Sequence, residues 1–185
     1  VTTNGGGNWA RSDSGLVSSA VSGFAIASGR TYAEGNALAK LEDGADAVTE
    51  IDEDALFQTL NRGSSSTVLT PVIESSGGLI AAVGDRIGRS LNDGVTWSLT
   101  GYSSTANDVV VDLAATTTAP SIYYASSAFT LQRSIDQGVT WTEIVAGLPA
   151  GESPGLIAIA PSDSATLYAG PRDPFSPDFI GMGVY

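Results

Sequence analysis

The chain contains no cysteine and no histidine. Without cysteine there are no disulfides and no thiolate ligands. Without histidine there is no Ser-His or Cys-His nucleophile pair, and zinc sites built from Cys and His are excluded. Lysine occurs once, as Lys40, and the eight basic residues stand against 20 acidic ones for a net charge of −12. Nucleic acids and anionic membranes bind through basic clusters, so neither is an expected partner. No apolar run has the length that spans a bilayer, so membrane insertion is not expected. The chain starts at Val1 without a signal-like apolar segment, and reads as a mature product or a piece of a longer chain.

Runs with helical period are also scarce. The 185 residues, 42% of them hydrophobic, are enough for one domain with a real core. The 22 glycines, with abundant Ser, Thr and Ala, point to many short strands joined by turns.

One eight-residue pattern organises those strands. Ser134 to Trp141 reads Ser-x-Asp-x-Gly-x-Thr-Trp, and Ser90 to Trp97 repeats it with Asn92 in the Asp place. Thr2, Asn4, Gly6 and Trp9 keep the same offsets near the N-terminus. Trp97 and Trp141 are 44 residues apart, and Trp9 precedes Trp97 by 88, twice that spacing. A copy is therefore expected between them. Lys40-Leu41-Glu42-Asp43-Gly44 followed by Thr49-Glu50-Ile51 supplies it in decayed form, with Val48 in the Trp place. A repeat of this length with four short strands is the signature of a propeller blade.

The expected fold is all-β: a β-propeller of four such blades, four strands each, spanning about 16–51, 67–100, 108–145, and 155–185 joined with 1–10. The strands read as 24–27, 31–33, 37–40 and 47–51; then 68–73, 79–83, 86–89 and 96–99; then 109–113, 122–125, 130–133 and 140–144; then 156–160, 166–169 and 182–185. Asp54 to Leu60 reads as one or two helical turns. The last blade lacks its motif turn and outer strand, and the N-terminal copy supplies both. A ring closed this way removes open sheet edges. It closes within one chain, or two or more chains share it.

The motif fits the turn between third and fourth strands. Gly94 and Gly138 supply positive φ. Asn92 and Asp136 accept backbone N–H groups of their own turn. The hydroxyls of Ser90, Thr96, Ser134 and Thr140 tie its two sides, while Trp97 and Trp141 start the outer strands and bury against the neighbouring blade. Asn92, Asp93 and Asp136 lack the dense oxygen spacing of a calcium loop, so no metal is expected.

Ser-x-Asp-x-Gly-x-Thr-Trp at this period resembles the Asp-box, or bacterial neuraminidase repeat. Ile157 to Gly170 looks like the first two strands of the same blades in xyloglucan-degrading hydrolases and sortilin-type receptors. The resemblance covers nearly the whole chain and implies the blade rather than an activity. A sialidase-like site would need three converging arginines. Lys40, Arg89 and Arg133 share one repeat position, but at the motif end, where they read as solvated charges. A xyloglucanase-like site would need two carboxylates across a cleft between two large propellers; Asp85, Asp108, Glu152 and Asp173 are the candidates.

Binding is expected rather than catalysis, on the loops opposite the motif turns. The residues expected to serve it are Arg11, Arg62, Asp85, Arg86, Tyr102, Asp108, Arg172 and Asp173, with Asp13, Phe129 and Phe175 on the same loops. No cofactor is expected. The leading reading is a non-catalytic extracellular or particle-surface module for assembly or contact with a protein partner or ligand. The alternatives are a glycan-binding or glycan-cleaving propeller, and a subunit of a filament or phage tail; a homo-oligomer fits the last.

Overall fold

The structure, a computed structural model, describes residues 5–8, 21–27, 30–35, 38–42, 49–51, 53–63, 72–73, 78–104, 108–116, 118, 121–144, 154–160 and 163–170. Among these residues three antiparallel four-stranded sheets follow one another, each in the strand order of the sequence. The first holds β1 (Val21–Ala27), β2 (Arg30–Gly35), β3 (Ala39–Glu42) and β4 (Thr49–Glu50). Helix α1 (Glu53–Leu60) leads to the second, with β5 (Val72–Ile73), β6 (Leu79–Val83), β7 (Arg86–Ser90) and β8 (Ser98–Leu99). The third holds β9 (Val110–Ala115), β10 (Tyr123–Ser127), β11 (Leu131–Ser134) and β12 (Thr142–Glu143). A two-stranded sheet, β13 (Leu156–Ala160) and β14 (Asp163–Gly170), follows.

The decayed copy keeps the register of the others. Lys40 pairs with Thr49, Arg89 with Ser98 and Arg133 with Thr142, one homologous pair in each sheet. The expected closing strand 182–185, and Thr2, Asn4, Trp9 and Asp43 of the motif copies, lie outside the described residues, as do 68–71 and 47–48 of the expected strands.

Side chains of the inner strands alternate between two neighbours. On β6, Leu79, Ala81 and Val83 join a cluster with Tyr32, Leu38 and Ile51 of the first sheet. Ile80 and Ala82, pointing the other way, join Val110, Leu113, Tyr123 and Ala125 of the third. On β10, Tyr124 turns instead to Ile157, Leu167 and Ala169 of the two-stranded sheet. The period of two along a strand thus makes each sheet a filling between its neighbours. The first strands also touch in succession, β1 with β5, β5 with β9 and β9 with β13.

Helix α1 begins one residue earlier than expected. Leu56, Phe57 and Leu60 face the first cluster. Asn61 adopts φ 51° just past the last turn, and the Arg62 N–H donates to the Phe57 carbonyl at 2.9 Å, a left-handed helix stop.

The outer strands are shorter than expected. Thr96 and Thr140 spend their N–H groups on the side-chain oxygens of Asn92 and Asp136, at 2.9 and 2.8 Å. Pairing therefore starts only after each tryptophan, at Ser98 and Thr142, and Trp97 and Trp141 precede their outer strands instead of opening them.

Candidate binding cleft

The motif turns are built as the residue types dictate. Ser134 Oγ accepts the Gly138 N–H at 2.8 Å and donates to Asp136 at 2.8 Å; Thr140 Oγ1 donates to Asp136 at 2.5 Å. Ser90, Asn92, Gly94 and Thr96 repeat the pattern. Each turn carries two successive left-handed residues: Asp93 and Gly94, Gln137 and Gly138, and near the N-terminus Gly5 and Gly6. In the Asp93-Gly94 and Gln137-Gly138 pairs only the second residue is a glycine, so the left-handed turn of the first was not legible. Trp97 is buried among the first and second sheets. Trp141 packs edge-on to Tyr102 at 5.3 Å between ring centres, against the cluster shared by the second and third.

Turns alternate ends in an antiparallel meander, so Gly84-Asp85, between β6 and β7, lies at the end opposite the motif turn. There the Gly84 carbonyl accepts the Val110 N–H at 2.8 Å, joining this turn to the start of β9. Residues 101–104 then run along the third sheet. The Gly101 N–H donates to the Gly138 carbonyl at 2.7 Å, and Gln132 Nε2 donates to the Ser103 carbonyl at 3.1 Å. Between this strap and the second sheet opens a cleft of about 370 Å³, lined by Asp85, Arg86, Leu99, Tyr102, Ser103 and Ser104.

Three of the residues expected to bind, Asp85, Arg86 and Tyr102, line this cleft; Arg62 reaches it through Asp85 and Asp108 lies near Tyr102. Arg62 forms an ion pair with Asp85. Arg86 Nη1 donates to the Leu60 carbonyl at 3.0 Å. Asp108, 9% exposed, accepts the Ala128 and Phe129 N–H groups at 3.3 and 3.1 Å, so both its oxygens hold the β10–β11 turn. Burial, and secondarily the charge of Asp108, pushes the Tyr102 phenol up to about 12, which keeps it a neutral donor. Tyr102 is 6% exposed, and its hydroxyl has Asp108 and Thr130 as polar neighbours without a well-formed hydrogen bond. The Ser104 hydroxyl is likewise buried without a partner. Arg11, Asp13, Glu152, Arg172, Asp173 and Phe175 lie outside the described residues, and Phe129 is exposed on its turn.

Leu99, Ser103 and Ser104 were not singled out from sequence. A Tyr-Ser-Ser run resembles any wet loop; the Gln132 anchor that folds it inward comes from a strand 29 residues away.

The charges at the motif end differ from expectation for Lys40. Its amine reaches Asp93 at 3.5 Å, and the same carboxylate accepts Arg30 at 2.7 Å and the Tyr32 hydroxyl at 3.1 Å. Asp93, lifted by its left-handed backbone, thus clamps the first sheet to the second. Arg133 is exposed, as read from sequence. Among the described residues no group of three or more acidic side chains gathers as a metal site would, and no helix is long and apolar enough to cross a membrane.

No family model matches the chain, and no curated protein matches it by sequence. Solved structures do match its fold. YCF48 bound to a D1 peptide superposes with a TM-score of 0.60 at 18% identity, over 80% of this chain and 46% of that one. YCF48 from Cyanidioschyzon merolae gives 0.57 at 16%, over 80% and 47%. The extracellular domain of BT4673 from B. thetaiotaomicron gives 0.61 at 14%, over 85% and 20%. These are β-propeller proteins, and the chain has a propeller-type fold. It spans about half the length of YCF48 or less than that of each structure it resembles.

Proposed function

We propose that the chain is a non-catalytic propeller module that contacts a protein partner or small ligand through the loop end around the Asp85–Ser104 cleft. In this reading it carries four Asp-box blades, the last closed by the two chain ends, and works outside the cell or on a particle surface. The observation that carries the binding role is the cleft itself, where the charged side chains of Asp85 and Arg86 stand beside Leu99 and the strap of Tyr102, Ser103 and Ser104. A concave site with a few convergent polar groups is where ligands ordinarily bind. The commitment of Asp108 to backbone N–H groups and of Asp85 to Arg62 supports binding over acid–base chemistry. The fold likeness to a peptide-bound YCF48 supports a partner at a propeller surface.

The test is incubation with a panel of sialosides and β-glucans, with amide chemical shifts followed in parallel. No turnover is expected, and ligand-dependent shifts should gather at Arg62, Asp85, Arg86 and Tyr102. Turnover abolished by Asp85→Asn or Asp108→Asn would overturn the non-catalytic reading.

A further inference from the structure

We propose that the motif end of the second and third sheets is a docking surface for a second copy of this chain. It lies at the opposite end from the Asp85–Ser104 cleft and stands independently of that site. Leu91 and Val95 in the β7–β8 turn, and Ile135 and Val139 in the β11–β12 turn, are between 61% and 71% exposed. They occupy the same two places of the motif in both turns. The turn itself does not ask for apolar side chains there: the decayed copy holds Glu42 and Asp46 at these places, and the N-terminal copy holds Thr3 and Gly7. The four aliphatic side chains therefore gather on two adjacent sheets. Those sheets meet at this end, where the Gly101 N–H, just past β8, donates to the Gly138 carbonyl of the next turn at 2.7 Å.

This surface can be covered without stranding polar groups. In the β7–β8 turn the N–H groups of Asn92, Gly94, Val95 and Thr96 all donate within the turn. In the β11–β12 turn those of Gly138, Val139 and Thr140 do the same. Buried donors left without acceptors would oppose docking; here the frame is satisfied from inside, and the apolar side chains alone face outward.

Charge selects the occupant. Two copies of a chain with net charge −12 repel each other over most of their surface. Arg89 to Trp97 holds one base and one acid, and so does Arg133 to Trp141, so both turns are neutral. Asp93 is matched further by Arg30 and Lys40 of the first sheet. A second acidic chain meets least repulsion here. A two-fold axis between the turns sets the β7–β8 turn of one copy on the β11–β12 turn of the other, so one apolar pair covers another twice over. A contact this small dissociates on dilution.

The intact chain would be followed by light scattering and amide chemical shifts over a wide range of concentration. Dilute protein should have the 18.8 kDa mass of one chain and approach twice that on concentration. Shifts should move at Leu91, Val95, Ile135 and Val139 and stay still at Asp85 and Arg86. High salt should strengthen the dimer, because it screens the repulsion between acidic chains. Val95→Asp combined with Val139→Asp should weaken association by about tenfold or more at unchanged Tm, since it sets like charges against each other. Leu91→Ser with Ile135→Ser should act in the same sense, and decides the matter where the first pair lowers Tm. A chain that stays monomeric at every concentration would overturn the proposal and leave the surface to a different protein. A dimer that both variants keep would also overturn it and place the contact elsewhere, as in a ring shared through the chain ends. A dimer weakened by salt would rest on ion pairs instead of this surface, against the proposal.

Discussion

Asp136 shows how much work one half-buried side chain does in a short turn. The Thr140 hydroxyl and N–H hold its carboxyl at about 2, well below the usual carboxylate range, with Ser134 contributing less. Its folded-state value is lowered, so its contribution to stability is present above the unfolded value of about 4 and is lost as pH falls toward 2. Asp136→Asn should remove that dependence, since Asn92 builds the same turn with an amide. Thermal melts from neutral pH to about pH 2 test this: the wild type should lose its margin over the variant below about pH 4. A constant margin would mean the carboxylate is not what holds the turn. At the same scale, Gly138 was readable as a positive-φ residue, but Gln137, with φ 60°, was not. Glutamine has no turn preference that a sequence displays; the hydrogen bonds around it impose the conformation.

Between elements, single contacts decide how sheets meet. A Cβ on Gly101 would lie 2.0 Å from the Val139 carbonyl oxygen, so the strap can lie on the third sheet's motif turn only without a side chain. Gly101→Ala should cost about 2–3 kcal/mol, read as a lower urea midpoint at unchanged slope. It should also disturb the cleft, because Tyr102 and Ser104 follow directly. Asp93 clamps the first two sheets through Arg30, Lys40 and Tyr32. The side chains are partly exposed, so solvent screens them. Asp93→Ala should cost about 1–2 kcal/mol, and the loss should shrink in high salt. A loss indifferent to salt would place the effect in the left-handed turn rather than in the ion pairs. Sequence gave no sign of this clamp. Lys40 and Arg30 are ten residues apart on different strands, and only the antiparallel pairing of β2 with β3 brings them to one carboxylate of another sheet.

For the whole molecule, stacking of successive sheets is the main source of cohesion. Among the described residues the apolar side chains form three clusters, each shared between neighbouring sheets. Under the proposed closure of a fourth blade by the chain ends, one chain completes its own ring. Light scattering should then give a mass near the 18.8 kDa of the chain. A stable multiple would mean that several chains share a ring, and the interface between them would be the first place to seek function.

What the sequence determined by itself was the repeat: the motif at its spacing, the four-strand unit it closes, and the register that even the decayed copy obeys. These are local matters. A turn needs glycine and a capping side chain within a few residues, and alternation along a strand marks both of its faces. The loop residues Arg62, Asp85, Arg86 and Tyr102 could be placed at one end of the fold, since strand order alone sorts the turns between two ends. Tertiary structure alone decided that Asp85, Arg86 and Tyr102 share a cleft with Ser104, that Arg62 pairs with Asp85, and that Asp93 rather than solvent receives Lys40. The reason is distance along the chain. Those contacts join residues tens of positions apart, and packing of one sheet against the next, which no local pattern encodes, sets which of them meet.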